Sequence, residues 1–384
     1  MRNAYIVSAL RTPIGRKKGS LADVHPADLG GVVIKETFNR IKLDPGLVED
    51  VIFGCVDTVG PQAGDIARTC WLVAGLPEHV PGTTIDRQCG SSQQAVHFAV
   101  QAIMSGTSDI ILAGGVQNMN MVPISYAMLA GQDLGFDNPF TSSPGWINRY
   151  GNGEVSQFKS ANMIAKKWDI RRDEMEEFAY NSHAKAIQSI NTGIFKDEIV
   201  PVGLFDTDET PRIDTTKEKM SELQPLIEGE TITAAISSQN ADAAACLLVV
   251  SEEALTKYDL TPLVKVSHIS VRADDPIWML TAPIPATKYA LSKMDIKLSD
   301  IGRVEINEAF ASIPMAWQKE FDYPIDQINV HGGAIALGHP LGATGARLMT
   351  TLVHEMRRSN IQFGLQTMCE GGGQANVTIL ENCE

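Results

Sequence analysis

The feature that most narrows the fold of this chain is an alternation of short strand-like runs and longer helix-like runs that is spelled out twice. Residues 4–8 (AYIVS), 51–54 (VIFG) and 110–113 (IILA) are brief apolar or β-branched runs, whereas 28–40 and 91–105 carry apolar residues at helical spacing. The second half repeats the order: helix over 286–294, strand over 303–306, helix over 341–357, then strands over 364–368 and 376–380. Strands that alternate with helices predict an α/β fold with helices on both faces of a sheet.

The wording of the two halves also agrees locally. KLDPGLVEDVIFG (42–54) and KLSDIGRVEINEA (297–309) both run from a helix end through a short turn into a strand, which suggests an internal duplication. Between the halves, 118–240 changes character. It is rich in Pro, Gly and Asn at first. It then carries a helix over 172–190 with Met175, Phe178, Ala179, Ser182, Ala186 and Ile190 on one face. So long an excursion exceeds an ordinary connection and predicts an inserted lid.

Charge and cysteine usage remove several function classes. Against 32 Lys and Arg stand 46 Asp and Glu, a net charge of −14 that disfavours nucleic acid and anionic membranes as partners. The longest uncharged stretch, 110–132, is broken by Gln117, Asn118, Asn120, Pro123 and Gln132, too polar for a lipid-facing span. The six cysteines lie far apart with no CxxC pair, so neither a zinc site nor a redox motif is expected. Reduced thiols, a start without a signal-peptide core and an ending ILENCE that is no peroxisomal tripeptide predict a cytoplasmic protein.

Familiar catalytic signatures are missing: the chain has no GxxxxGK[ST], HExxH or GxSxG, and no GxGxxG after its first strand. Four loops carry the remaining chemistry. In DRQCGSSQQA (86–95), Cys89 precedes an Ala- and Val-rich helix, where N–H groups and the helix dipole favour the thiolate; a small buried hydrophobe is the bland alternative. In HGGAIALGHPLGATGAR (331–347), His339 also leads into a helix and is kept neutral there as a general base must be, with His331 a rival candidate. In MCEGGGQANVTI (368–379), Cys369 precedes Gly371, Gly372 and Gly373 at a strand end, where exposed backbone N–H groups can receive an oxyanion, or where the glycines merely mark a tight turn. In INEAFA (306–311), Asn307 offers an amide for a water or a carbonyl, or serves merely as a helix cap.

Taken together and in this order, Cys89-Gly90-Ser91, Asn307-Glu308-Ala309-Phe310, Gly338-His339-Pro340 and Cys369-Glu370-Gly371 closely resemble the CxS, NEAF, GHP and CxG loops of the thiolase family. The resemblance extends from RTPIG (11–15) through DETPR (208–212) to the C-terminal residues. It implies two duplicated βαβαβαββ halves in a five-layered α/β sandwich. The N-terminal half would comprise 1–117 and 241–262, the inserted coenzyme A-binding loop domain 118–240, and the C-terminal half 263–384. By the same resemblance Cys89 is acylated, His339 takes its proton, and Cys369 is the acid/base at the substrate α-carbon. Asn307 holds a water that forms one oxyanion hole with His339, and the N–H groups of Cys89 and Gly371 form the second. Ser238 matches a position near pantetheine and Arg212 one near the nucleotide. Residues 149–219, with 11 basic and 13 acidic side chains, hold no basic cluster for the phosphates.

The implied activity is ping-pong thiolysis of a 3-ketoacyl-CoA to acetyl-CoA or propionyl-CoA and a shortened acyl-CoA. Coenzyme A is a co-substrate, no metal is involved, and the assembly is a homodimer or a dimer of dimers. Where the family commonly has MGxTAE, GNASG and MGxGP, this chain has QFKSAN (157–162), AISSQ (235–239) and MLTAP (279–283). With CGSSQQA, these look more like bacterial degradative thiolases of sterol- or ring-derived chains than like acetoacetyl-CoA synthesis enzymes. Gln157, Phe158 and Lys159, with Trp146 and Tyr150 upstream, are the expected wall of an enlarged acyl pocket. Two other readings compete. A decarboxylating ketoacyl synthase would carry a histidine in place of Cys369, and a non-catalytic acyl-CoA-binding protein would not need all four polar residues.

Overall fold

The structure is a computed structural model that describes residues 2–383. In chain order the first half contains β1 (Ala4–Arg11), α1 (Pro26–Ile41), β2 (Asp50–Gly54), α2 (Ile66–Val73), β3 (Gly82–Ile85), α3 (Ser91–Ser105) and β4 (Ile110–Asn118). An excursion containing α4 (Gln157–Lys167) and α5 (Arg172–Asn191) then leads to β5 (Ala241–Ser251). The second half follows with β6 (Val264–Ala273), α6 (Pro283–Met294), β7 (Ile301–Ile306), α7 (Ser312–Phe321), α8 (Leu341–Arg358), β8 (Phe363–Glu370) and β9 (Gln374–Asn382). Every strand and helix expected from the alternation is present, most of them longer by one to five residues.

The strands form one hydrogen-bonded order, β3-β2-β4-β5-β1-β6-β9-β8-β7, with the two-residue strand Gly15–Arg16 also pairing with β5. Numbered within its own half, the first set runs 3-2-4-5-1 and the second is its mirror sequence, 1-5-4-2. The missing third strand of the second half survives as a single parallel bridge, Val304 to Ile328, where β2 and β3 pair in parallel in the first half. The duplication suggested by two similar loops is therefore a duplication of topology. The halves meet edge to edge through β1 and β6, at only Tyr5↔Lys265 and Ile6↔Val264.

Three apolar clusters define the layers. Leu29, Val33 and Ile34 of α1 and Trp71 of α2 pack on one face of the first-half strands. On the opposite face, Val96, Val100 and Ile103 of α3 join Met349, Leu352 and Val353 of α8 against both sets of strands. Ala286 and Ala290 of α6 and Trp317 of α7 close the far face of the second set. The order helix, sheet, helix pair, sheet, helix is the five-layered sandwich. Because α3 and α8 form its middle layer, they are buried almost all round. Helix α8 accordingly buries fifteen of its eighteen residues, Arg347 among them.

The excursion between β4 and β5 is tied to the first half by ion pairs in which Arg11 meets Asp208 and Glu198 without solvent. Its Nη1 and Nη2 donate to the two Asp208 oxygens at 2.7 and 2.9 Å, and Nε to Glu198 Oε1 at 2.6 Å. Asp208 also accepts from the Ile14 N–H at 2.8 Å. Burial by itself would lower the Arg11 pKa, but the two carboxylates outweigh it and hold the group firmly cationic. The RTPIG and DETPR segments are thus two halves of one clasp. Met175, Ala179, Ser182 and Ala186 of the anticipated α5 stripe are buried, while Phe178 and Ile190 are only partly covered.

Candidate active site

Helices α3 and α8 follow the third-strand position of their respective halves, so the loops that precede them are topological equivalents. They cross near their N-termini: a Cβ on Gly345 would lie 2.4 Å from the Gln93 nitrogen, so only glycine permits the contact. Ser92 Oγ accepts from the Ala346 N–H at 2.9 Å across the same crossing. One loop carries Cys89 and the other His339. Leu341, two residues after His339, packs in one cluster with Cys89, Val56 and Met119.

The loop that carries Cys89 is tightly built. Asp86 Oδ1 accepts from the Gln88 N–H at 2.7 Å, and Gln88 adopts φ 49°, a left-handed conformation that costs a non-glycine residue roughly 1–2 kcal/mol. Ser91 Oγ donates to the Gln88 carbonyl at 2.6 Å and accepts from the Arg87 N–H at 2.9 Å. This turn leaves Cys89 part-exposed at the mouth of α3. The expectation that the helix end would favour its thiolate is corrected here. Burial pushes the Cys89 thiol up to about 12, Glu370 adds to the shift, and the backbone N–H groups of Cys89 and Gly371 offset it only partly. Those two N–H groups nevertheless converge on the sulfur, so they can also stabilise an oxyanion formed there.

A thiol held in its protonated form needs a base, and His339 has the chemistry of one. Burial, assisted by Arg347, lowers its pKa to about 3, so it is a neutral imidazole at physiological pH. Its Nε2 lies 3.2 Å from Asn307 Nδ2, and its Nδ1 lies 2.7 Å from Thr344 Oγ1. Asn307 Oδ1 is buried without a protein partner among the described residues. The rival His331 is bound elsewhere, with Nε2 2.9 Å from Glu355 and Nδ1 2.9 Å from Ser189 Oγ.

Cys369 sits at the end of β8, 1% exposed, packed in the cluster that contains Phe310, Leu280 and Ile335. Burial raises its thiol well above the usual range, and its closeness to Cys89 raises it further. The β8–β9 turn brings Gly371 against Gln88, while Glu370 points the other way and packs beneath Gly90. Glu370 accepts from the Asn376 N–H at 3.1 Å, and burial lifts its carboxyl to about 8. Sequence reading passed over it; its only signal was one acid between an apolar strand and three glycines.

The candidate coenzyme contacts fall on the excursion. Ser238 donates its backbone N–H to the Ala309 carbonyl at 2.9 Å, alongside the Asn307 loop, whereas Arg212 is exposed and bonds His183 Nδ1 through its backbone at 3.1 Å. Gln239, unremarked in the sequence, ties these parts together. Its side chain donates to the carbonyls of Thr210, Ile335 and Ala336, and its own carbonyl accepts the His339 N–H at 2.8 Å. Phe158, on α4, meets Phe310 edge-on at 5.5 Å, next to the Asn307 loop. Trp146 instead packs at a tilt between Phe140 and Tyr150, and Lys159 pairs with Glu154. The expected wall is thus divided into two separate groups.

Glu308 is a further residue that sequence reading left out. Fully buried, it accepts from Asn329 Nδ2 at 2.9 Å, Ser182 Oγ at 2.7 Å and the Ile335 N–H at 3.1 Å. It thereby locks the Asn307 loop to α5 and to the loop that carries His339. Among the described residues, no group of three or more His, Cys, Asp or Glu side chains is arranged to hold a metal ion.

Residues 4–253 match the thiolase N-terminal domain and residues 260–382 the thiolase C-terminal domain. The chain belongs to the thiolase family, and is therefore an acyltransferase enzyme. The steroid 3-ketoacyl-CoA thiolase FadA6 of Mycobacterium tuberculosis is 53% identical over 385 residues, covering 99% of this chain and 94% of that one. A 3-ketoacyl-CoA thiolase of Bacillus subtilis is 38% identical over 402 residues and all of both chains. The crystal structure of the Bacillus anthracis acetyl-CoA acetyltransferase superposes with a TM-score of 0.87 at 33% identity, covering 100% of this chain and 99% of that one.

Proposed function

We propose that this chain is a degradative 3-ketoacyl-CoA thiolase working through an acyl-Cys89 intermediate. The observation that carries the reading is the neutral His339, bonded to Asn307, in the loop next to a protonated Cys89. His339 Nε2 takes the Cys89 proton as the sulfur attacks the β-carbonyl, and the N–H groups of Cys89 and Gly371 receive the oxyanion. The bond between the α and β carbons breaks. The enolate of acetyl-CoA, stabilised at the Asn307 and His339 site, takes a proton at its α-carbon from the Cys369 thiol. The Cys369 thiolate then accepts the proton of incoming coenzyme A, whose sulfur attacks the acyl-Cys89 carbonyl. Released Cys89 recovers its proton from His339, and all three groups return to their starting states.

Coenzyme A crosses the 118–240 excursion in this reading, with Ser238 at the pantetheine and Arg212 toward the nucleotide. The acyl group is bulky and ring-bearing. The 53% identity to a protein named a steroid thiolase supports this, as does Phe158 standing where the family commonly has the MG-containing stretch. Comparing kcat/KM for a ring-bearing 3-ketoacyl-CoA and for acetoacetyl-CoA tests the assignment, with the former expected to win at least tenfold. The opposite preference would return the chain to the acetoacetyl-CoA type, and no turnover of either would remove thiolysis altogether.

Two copies pair across β3, the outer strand of the first half. Leu72 and Val73 of α2 and Phe98 of α3, which flank it, are 42, 48 and 39% exposed. Sedimentation should give two or four chains per particle, and a monomer would refute the pairing. The six unpaired cysteines support a cytoplasmic location.

A further inference from the structure

Resting on the reading of His339 as the base, we propose that Thr344 is a positioning residue that fixes the His339 tautomer, with the proton on Nδ1 and the lone pair on Nε2. The hydrogen-bond pattern around Thr344 leads to this assignment. The Thr344 hydroxyl lies 2.9 Å from the Pro340 carbonyl, which can only accept, and it satisfies this contact and the one to His339 together only by donating to the carbonyl. At 2.7 Å from His339 Nδ1 it then has only a lone pair to offer, and Nδ1 must be the donor. The other side of the ring gives the same answer independently: Asn307 Nδ2 can only donate, so Nε2, 3.2 Å away, must accept.

Three features make this arrangement hard to exchange. Thr344 and Asn307 are both completely buried and His339 is 5% exposed, so bulk water does not compete for the ring. Thr344 stands on the first turn of α8, where its own N–H and that of Ala343 both bond the Pro340 carbonyl at 2.9 Å and where the Gly345 crossing with α3 holds the helix. The His339 N–H is bonded to the Gln239 carbonyl at 2.8 Å, which fixes the backbone that carries the ring. The opposite tautomer would set two donors against each other at Asn307 and would draw the Thr344 hydroxyl proton to Nδ1 and away from the Pro340 carbonyl. An imidazole in that state has no lone pair on Nε2 and could not take the Cys89 proton.

Thr344→Val keeps the shape and removes the acceptor; Thr344→Ser keeps the hydroxyl and removes a methyl group. Thr344→Val should lower kcat for thiolysis about 10–100-fold, the range typical of lost orienting partners, with KM changed less than threefold. Alkylation of Cys89 by iodoacetamide, which needs no acyl substrate, should slow in parallel. Thr344→Ser should keep both within threefold of the parent. Nitrogen-15 NMR of histidine-labelled protein, with the His339 signal identified by its loss in His339→Asn, should show Nδ1 protonated in the parent and a tautomer mixture in Thr344→Val. An Nε2-protonated signal in the parent overturns the proposal, as does equal activity of parent and Thr344→Val, or a Thr344→Ser variant as slow as Thr344→Val. Should Thr344→Val fail to fold, the parent spectrum and Thr344→Ser still decide. A parent that performs no thiolysis would instead remove the function proposed above, while the spectrum would still test the tautomer.

Discussion

Cys89→Ala should yield a folded chain with no detectable thiolysis, a loss of at least about 10⁴-fold, since covalent capture by the nucleophile is the step on which all others depend. The substitution is mild for the structure: Cys89 is part-exposed, and its packing partners Val56, Met119 and Leu341 keep one another's company without it. Mass spectrometry after a brief pulse of 3-ketoacyl-CoA should find the acyl group on the peptide that contains residue 89. Cys369→Ser provides the contrast. It should still accept an acyl group on Cys89 from an acyl-CoA but lose exchange of the acetyl-CoA α-protons, because only the second task uses the thiol at the end of β8. Acyl label on Cys369 alone would reverse the two roles, and equal loss of both steps in Cys369→Ser would show that the two thiols do not divide the work.

The largest stability effect should come from Asp208→Ala. It leaves the guanidinium of Arg11 without its bidentate partner in a site closed to water, and the Ile14 N–H without its acceptor. Removing one member of a buried, hydrogen-bonded ion pair typically costs about 3–5 kcal/mol. Asp208→Asn should cost less, because an amide oxygen can still accept from Ile14 or Arg11. Chemical denaturation followed by tryptophan fluorescence measures both variants. A change below about 1 kcal/mol for Asp208→Ala would mean that the clasp between RTPIG and DETPR does not hold the excursion to the body.

Some of this protein could be read without coordinates because it depends on neighbours in the chain. Helix α3 begins and ends where its apolar spacing and glycines place it, and the strand cores at 51–54, 303–306 and 376–380 follow from local β-branched runs. The order of the four loops around Cys89, Asn307, His339 and Cys369 likewise named the family, since motif wording survives in one dimension. The reactivity of those residues did not follow from the same local signals. A helix N-terminus argues for a Cys89 thiolate, yet enclosure by Met119, Val56 and Leu341, with Glu370 close by, reverses the sign. Desolvation depends on what surrounds a group in three dimensions, and Glu370 lies 281 residues from Cys89 along the chain.

The supporting residues were illegible for a related reason. Thr344, Glu308 and Gln239 look like ordinary polar residues in apolar loops, and each acquires its role only from partners that distant segments bring to it. Glu308, for example, is bonded by α5 of the excursion and by the loop before α8. Even the approach of the His339 loop to the Cys89 loop follows from the crossing of α3 and α8 at Gly345, a contact between two halves of a duplicated fold. By itself the sequence determined the elements, the duplication and the family, because periodicity and motif are local. Only the tertiary structure decided burial, protonation and hydrogen-bond partners, because these are properties of packed neighbours rather than of the chain.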